Sequence, residues 1–192
     1  YPLVIKPLNG NHGRGATINI VNWDQAVEAL EIAKKISRSV IVEKYITGYD
    51  HRILVINYKF VCAAQRKPAA VVGDGKSTIQ QLVDVVNADP RRGYGHENVL
   101  TSIKIDEMTQ NILVEKGLTL DSVLKKGEEL FLKRTANLST GGTATDVTDI
   151  VHPYNVFMCE RIARIIGLDI CGIDIMTPDI SEPLTETGGA VL

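Results

Sequence analysis

At 192 residues the chain is long enough for one large core or for two small lobes. Its 44% hydrophobic and 23% charged residues are typical of a globular protein, and a net charge of −2 gives no reason to expect nucleic acid or an anionic membrane as a partner. No apolar run approaches the roughly 20 residues that span a bilayer, and three cysteines without metal-ligand spacing predict reduced thiols and a cytoplasmic location.

The first 47 residues predict a small lobe in which a glycine loop joins two antiparallel strands. Short β-branched runs predict strands at 3–6, 16–20 and 40–43. A helix is expected between the last two, with Asn22 as its N-cap and Gln25 three residues later. The predicted apolar stripe of that helix consists of Val27, Leu30 and Ile36.

Residues 48–192 predict a larger lobe of the α+β class. A hairpin is expected at 52–56 and 60–64, a final helix after Pro153, and a closing strand at 169–176. The inward side of the final helix is predicted to carry Val156, Cys159, Ile162, Ile165 and Ile166.

Between these elements, residues from about 67 to 151 have a less regular pattern. They contain two predicted helices, at 78–86 and 108–116, and the second ends at Gly117. We therefore expect an inserted region within the larger lobe.

Both ends of the chain consist of apolar segments. Tyr1 leads directly into a strand, and 190–192 is an apolar run without a following turn. This pattern predicts a piece of a longer protein, truncated at both ends.

The first candidate for ligand binding is Lys6 together with the glycine loop that follows it. An ammonium at the end of an apolar strand suits phosphate groups, and glycines let backbone N–H groups approach them closely. The loop residues with this predicted role are Gly10, Gly13, Arg14 and Gly15. A solvent-facing lysine and a hairpin without a ligand are the alternatives.

The second candidate is the segment that follows the strand at 40–43. The backbone at a strand end can pair with the edge of an adenine ring, and a carboxylate such as Asp50 suits two ribose hydroxyls. The residues predicted to hold adenine are Glu43, Lys44, Tyr45 and Ile46, and an ordinary strand-turn-strand with scattered charge is the alternative. Arg52 faces either solvent or the cleft, and we predict that it contacts the substrate.

Arg134, Asn137 and the pair Gly141 and Gly142 form a third candidate. Arginine suits forked contacts to phosphoryl or carboxylate oxygens, and asparagine adds a neutral donor. Two glycines let the main chain surround an anion. A turn-rich surface loop is the alternative.

Asp174 lies in an otherwise apolar strand, where an unpaired carboxylate is costly to bury. A Mg²⁺ ligand explains this residue well, and a structural salt bridge is the rival interpretation.

With these elements in place, the chain resembles the ATP-grasp superfamily over its full length. The run Thr-Ala-Asn-Leu-Ser-Thr-Gly-Gly-Thr-Ala at 135–144 makes it similar, more narrowly, to the ATP-grasp domain of the cyanophycin synthetases. The other segments that carry this resemblance are 6–15, 72–75, 86–93, 172–174 and 177–180. The bifunctional glutathione-synthesising ligases have a related domain.

The resemblance implies an ATP-grasp fold, in which two α+β lobes grip ATP between antiparallel sheets. It implies that Lys6 binds phosphates, that Asp50 binds ribose and that Asp174 is the first Mg²⁺ ligand. Catalytic contacts to the γ-phosphate and acyl phosphate would come from Arg134 and Asn137, with Gly141 and Gly142 near the substrate.

The implied activity is amide-bond formation through an acyl phosphate, with ATP and Mg²⁺. The implied substrates are aspartate and an Asp/Arg polymer primer, in a homo-oligomeric parent with a linked Mur-ligase-like domain. A glutathione-type or other dipeptide ligase, a carboxylate kinase and a non-catalytic nucleotide sensor are the alternatives. The family's second metal-binding element, Glu-x-Asn, has no counterpart before Leu192, so the piece alone is expected to be impaired.

Overall fold

A computed structural model describes residues 2–10, 14–94 and 97–192 of the chain. The chain divides into two compact units, Tyr1–Thr47 and Gly48–Leu192. Among these described residues, the first unit has one hydrophobic core and the second has two.

The first unit is a three-stranded antiparallel sheet with one helix against it. Its elements are β1 (Leu3–Pro7), β2 (Thr17–Ile20), α1 (Trp23–Lys34) and β3 (Val40–Lys44). The strand order is β2-β1-β3, so β1 lies in the middle. Asn22 is confirmed as the N-cap of α1, where its side chain accepts a hydrogen bond from the Gln25 amide at 2.9 Å.

The predicted apolar stripe of α1 is wrong. Val27 and Ile36 are exposed and Leu30 is half-buried, whereas Ala29 and Ala33 are fully buried against the sheet. The small alanine side chains let the helix lie close to the short strands, so the buried face of α1 is not the one that carries its larger apolar residues.

The second unit is built on a five-stranded antiparallel sheet of order β10-β5-β4-β11-β12. Its strands are β4 (Tyr49–Ile56), β5 (Lys59–Lys67), β10 (Thr143–Asp146), β11 (Ile170–Thr177) and β12 (Ala190–Val191). The predicted hairpin is confirmed, and its turn residues Asn57 and Tyr58 have φ of 50° and 59°, the conformation that matches the twist of paired strands.

One face of this sheet packs against α4 (Pro153–Ile166), and a short helix α5 (Leu184–Thr187) closes the same core. Cys159 and Ala163 are fully buried there, so the inward side of α4 is partly confirmed. The inclusion of Ile165 and Ile166 is wrong, because both are exposed and the core ends before the last turn of the helix. Gly167 ends the helix in the left-handed conformation, as expected.

Between β5 and β10 the chain folds around a core of its own. The elements of this inserted subdomain are β6 (Ala70–Val72), α2 (Ile79–Asn87), β7 (Arg92–Gly93), β8 (Leu100–Thr101), α3 (Glu107–Glu115) and β9 (Glu129–Phe131). Both helices predicted in this region are confirmed, and Thr78 caps α2 with a capping box to Gln81. The chain then returns to the main sheet where Thr143 of β10 pairs with Lys67 of β5.

None of the helices in the described ranges has both the length and the apolar character needed to cross a bilayer.

Candidate functional site

In the first unit, two residues predicted to bind nucleotide form an ion pair. The Lys6 ammonium on β1 contacts the Glu43 carboxylate on β3, and both side chains are about two-fifths exposed. The strands align Val4 with Glu43, which places the two side chains diagonally on one face of the sheet. The structure therefore brings these residues together on an accessible surface.

The glycine loop follows directly from β1. Gly15 has a φ of 72°, and a Cβ there would lie 2.4 Å from Ile36 Cδ1, so this position needs glycine. Gly10 closes a turn on Pro7, and Arg14 is exposed. Gly13 lies outside the described residues.

The predicted adenine segment continues the edge of the first sheet. Lys44 ends β3, and the Tyr45 amide donates a hydrogen bond to the Pro2 carbonyl at 2.9 Å. Tyr45 and Ile46 are both half-buried.

In the second unit, four charged side chains alternate in sign across three neighbouring strands. Asp174 on β11 receives hydrogen bonds from Arg52 on β4, at 2.5 Å and 3.0 Å, and from Arg66 on β5 at 3.0 Å. Arg66 also donates through Nε to Asp50 at 2.6 Å. Arg66 thus joins the predicted ribose-binding carboxylate to the predicted metal-binding carboxylate.

A cavity of about 310 Å³ opens beside this charged group. It is lined by Arg52, Ala64, Arg66, Asn137, Leu138, Ser139 and Ala144. The lining residues include two arginines, an asparagine and a serine, whose side-chain types can recognise a carboxylate or phosphoryl oxygen. The structure therefore brings Arg52 and Asn137, predicted separately, to the same cavity.

The loop from Asn137 to Gly142 forms the wall opposite the arginines. The Asn137 carbonyl accepts hydrogen bonds from Thr140 N at 3.2 Å and from Gly142 N at 3.1 Å, which close the loop. A Cβ at Gly142 would lie 2.7 Å from the Lys67 carbonyl oxygen and 2.8 Å from that of Asn137. The glycine is therefore required by the close approach of two backbone segments.

Comparison with known proteins identifies the fold. The chain aligns over its full length with 26% of a bifunctional glutathione synthetase from Pasteurella multocida, at 35% identity and a TM-score of 0.69. It is 57% identical over its full length to cyanophycin synthetase of Crocosphaera subtropica and 54% identical to that of Synechocystis. The chain is an ATP-grasp domain related to the cyanophycin synthetases.

This confirms the resemblance that the motifs predicted. The ATP-grasp domain is also 36% identical to a bifunctional glutathione biosynthesis protein of Clostridium perfringens. It spans about a fifth of the curated cyanophycin synthetases that it matches, 22% in the case of Crocosphaera. No protein-family model matches the chain.

Arg134 is separate from the cavity of the ATP-grasp domain. Its guanidinium pairs with the Glu115 carboxylate at the end of α3, and both side chains are about half exposed. The catalytic role of Arg134 stays a prediction.

Asp174 is the residue of the second unit that is predicted to bind Mg²⁺. In the described ranges, no group of three or more His, Cys, Asp or Glu side chains could hold a metal by itself. Mg²⁺ usually takes only one or two protein carboxylates and completes its shell with phosphate oxygens and water. In the structure both carboxylate oxygens of Asp174 accept hydrogen bonds from Arg52 or Arg66, which is the salt bridge that the rival interpretation expects. The role of Asp174 as a Mg²⁺ ligand stays a prediction.

Sequence reasoning missed Arg66 and Ser139 in the ATP-grasp domain. A regular hairpin that pairs Ile56 with Lys59 would align Asp50 with position 65, but the register shifts by one residue between Leu54 and Val55. This shift brings Arg66 opposite Asp50. Ser139 lies within the recognised motif, and its place on the cavity follows only from the turn of the loop.

Proposed function

We propose that this ATP-grasp domain is part of a longer ligase that uses ATP to activate a carboxylate and joins it to an amine. The cavity lined by Arg52, Arg66, Asn137 and Ser139 carries the proposal. Its two guanidinium groups are held in place by Asp50 and Asp174, so they are positioned before an anion binds.

The proposed reaction has two steps. Transfer of the γ-phosphoryl group of ATP to a carboxylate oxygen gives an acyl phosphate and ADP. The amine then attacks the acyl carbon, forms the C–N bond, loses a proton and expels phosphate. Each step places negative charge on phosphoryl or acyl oxygens, which the cationic and neutral donors of the cavity stabilise.

The roles proposed for the second unit follow from its charged network and its loop. Arg52 and Arg66 would contact the carboxylate and the acyl phosphate, with Asn137 as a neutral donor. Mg²⁺ bound at Asp174 would neutralise phosphate charge. Gly141 and Gly142 would shape the substrate wall.

In the first unit we propose that Lys6 binds phosphate oxygens and exchanges its contact with Glu43 for them. The Gly10–Gly15 loop, including Arg14, would approach the phosphates, and the backbone near Tyr45 would hold adenine. Asp50 of the second unit would accept hydrogen bonds from ribose hydroxyls.

Similarity to cyanophycin synthetases supports a specific substrate pair. We propose that the carboxylate belongs to a poly-aspartate primer with arginine on its side chains, and that the amine is that of aspartate. The longer relatives support a parent protein with further domains, and we propose that a Mur-ligase-like domain adds arginine.

A glutathione-type ligase is the second candidate, because 99% of the domain aligns with a quarter of the Clostridium protein at 36% identity. It would use the same cavity for a small peptide carboxylate.

Phosphate release by the full-length protein with Mg²⁺-ATP distinguishes these activities. The assay supplies single amino acids with and without a short Asp/Arg primer. Release that requires both aspartate and primer supports the polymer ligase. Release that ignores the primer and follows glycine or cysteine with a small peptide assigns a glutathione-type activity, whereas release without any amine acceptor indicates a carboxylate kinase.

Two arginine variants sharpen the assay. Arg52→Ala removes a cavity-lining guanidinium, so it should abolish most of the release if the cavity holds the carboxylate. Arg134→Ala tests the sequence prediction separately, because that residue pairs with Glu115 outside the cavity. Full activity of Arg52→Ala would contradict the proposal.

A further inference from the structure

Arg92 connects the inserted subdomain to the loop that forms the cavity wall. This half-buried residue begins β7, and its Nη1 donates hydrogen bonds to the Thr101 carbonyl at 2.6 Å and to the Gly141 carbonyl at 3.0 Å. One guanidinium nitrogen thus bridges two backbone segments that are 40 residues apart in sequence, since they lie at positions 101 and 141.

The Gly141 backbone also rests directly on the inserted subdomain. Gly141 has a φ of 94°, and a Cβ there would lie 2.9 Å from the Ile103 Cα and 3.2 Å from its amide nitrogen. Ile103 is in turn held by the Asn87 side chain, which donates to its carbonyl at 2.9 Å and accepts from its amide at 2.8 Å. Arg92 and Asn87 therefore fix the surface on which Gly141 lies.

The position of Gly141 determines where the cavity wall stands. Gly141 N donates to the Leu138 carbonyl at 3.1 Å, and the next amide donates to the Asn137 carbonyl at 3.1 Å. The segment between these contacts carries Asn137, Leu138 and Ser139, all of which line the cavity. A shift at Gly141 would therefore move the loop residues that line the cavity together with Arg52 and Arg66.

We propose that Arg92 is a positioning residue for the carboxylate substrate: it holds the Gly141 loop so that Asn137 and Ser139 face the cavity arginines. The inference rests on the proposed function of the cavity. Arg92 acts through the loop and does not itself line the cavity within the described residues. The inserted subdomain would thus determine carboxylate binding, although the main sheet carries the arginines.

Arginine suits this position better than lysine does. A planar guanidinium directs its N–H groups toward the two carbonyl oxygens in a fixed geometry. A lysine side chain would instead place a compact ammonium on a flexible stem, so the directions of its N–H groups are not fixed. Lysine should therefore restore the charge and only part of the geometry.

The test uses the full-length protein with Arg92→Met, Arg92→Lys and the neighbouring Arg91→Met as a matched control. Arg91 is exposed and contacts Asp89 on the surface of the same loop. Initial rates are measured against the carboxylate substrate and, separately, against ATP. We expect Arg92→Met to raise the KM for the carboxylate by about tenfold and to change the KM for ATP little. The carboxylate KM of Arg92→Lys should be intermediate, and that of Arg91→Met should match the wild type.

Hydrogen exchange supplies a readout that does not depend on activity. In Arg92→Met the amides of Gly141 and Gly142 should exchange faster, while those of the main sheet keep their protection. If Arg92→Met leaves both the carboxylate KM and the exchange at 141–142 unchanged, the inference is overturned. Equal losses for ATP and carboxylate, with general loss of protection, would also overturn it, since they indicate global destabilisation.

The proposed function can fail independently. Absence of carboxylate-dependent phosphate release from the wild type would reject that function, whatever the exchange data show. If Arg92→Met does not fold, the same carboxylate KM is measured in Arg92→Lys and in Asn87→Ala. The second of these variants removes the side chain that holds Ile103. Wild-type carboxylate KM values in both would overturn the inference.

Discussion

Gly172 lies directly beneath the side chain of Arg52. A Cβ on Gly172 would come within 2.8 Å of Arg52 Cδ and 2.9 Å of its Nη1, so the missing side chain is what lets the arginine lie flat across β11. In that position Arg52 Nε donates to Asp174 at 2.5 Å. Glycine is needed here for the close approach of the Arg52 side chain, since its φ is not in the left-handed region.

Gly172→Ala should therefore displace Arg52 while leaving the fold intact. The clash falls on a flexible side chain that is about half exposed, so we expect the free energy of unfolding to change by less than about 1 kcal/mol. The carboxylate-dependent kcat/KM should fall about tenfold or more, because the guanidinium no longer has its position at the cavity. Urea unfolding and phosphate-release rates measure the two effects.

A double-mutant cycle with Arg52→Lys identifies the cause of that loss. If Gly172 acts through Arg52, adding Gly172→Ala to Arg52→Lys should cost little more than Arg52→Lys alone. Additive losses would show that Gly172 acts by another route.

Arg66 holds Asp50 and Asp174 with a side chain that is only 14% exposed. Arg66→Met keeps much of the packing volume but leaves two neighbouring carboxylates without their shared cation. We expect a loss of about 2–3 kcal/mol in the free energy of unfolding. This loss is small for breaking a buried ion pair, because both carboxylates also reach solvent. Lys59→Met, which removes an exposed ammonium from Glu160, is the control and should cost less than about 0.5 kcal/mol, because Glu160 keeps its hydrogen bonds from Phe60 N and Arg164.

His51 is 1% exposed on the opposite face of β4, and its Nδ1 makes no hydrogen bond to the described residues. Burial lowers the pKa of this imidazole below its ordinary value of 6.5, although the backbone at Tyr49 and the charge of Asp50 oppose the shift. The folded protein therefore holds a neutral His51 at pH values where the unfolded chain would protonate it.

Stability should consequently decrease as the pH falls below about 6.5, because the unfolded state then binds the additional proton. Denaturant unfolding between pH 8 and pH 5.5 measures this slope. The variant His51→Leu, which fills a similar volume without a titratable group, should show a smaller decrease over the same range. An identical slope in both proteins would assign the effect to other groups.

Lys133 is 3% exposed within the inserted subdomain. Its ammonium pairs with Asp106 at 2.6 Å and donates to the Lys104 carbonyl and to Thr109 Oγ1, each at 3.0 Å. Lys133→Met should cost about 1–3 kcal/mol, because the buried acceptors lose their donor while Asp106 can turn to water. Lys126→Met, on the surface of the same subdomain, should stay within about 0.5 kcal/mol of the wild type in thermal unfolding.

Periodicity and turn signals in the sequence were sufficient to predict the hairpin of β4 and β5, strand β11 and the four longer helices of the described ranges, but they did not indicate β10 or β12. They failed where packing depends on side-chain size or on where a core ends, as in the buried Ala29 and Ala33 and the exposed Ile165 and Ile166. Local patterns record which residues are apolar, but not how closely two elements approach.

The candidate site, too, could be predicted only in part from the sequence. Motifs predicted Arg52 and Asn137 individually, and only the fold shows that they line one cavity. Arg66 was missed because a single register shift in β4 and β5 decides its neighbour. Contacts such as Arg92 with the Gly141 carbonyl join segments far apart in the chain, which no local pattern indicates.

The inserted subdomain leaves the main sheet at Lys67 and re-enters it at Thr143, and these two residues are direct partners across β5 and β10. The two junctions of the inserted subdomain therefore lie side by side at one paired position of the sheet. A chimera that replaces residues 68–142 with the corresponding segment of a related ligase would join at a single paired position of the sheet. Such an exchange would replace the cavity wall at 137–142 and keep the arginines of β4 and β5. Recombination at this position would therefore change carboxylate selectivity while the main sheet stays intact.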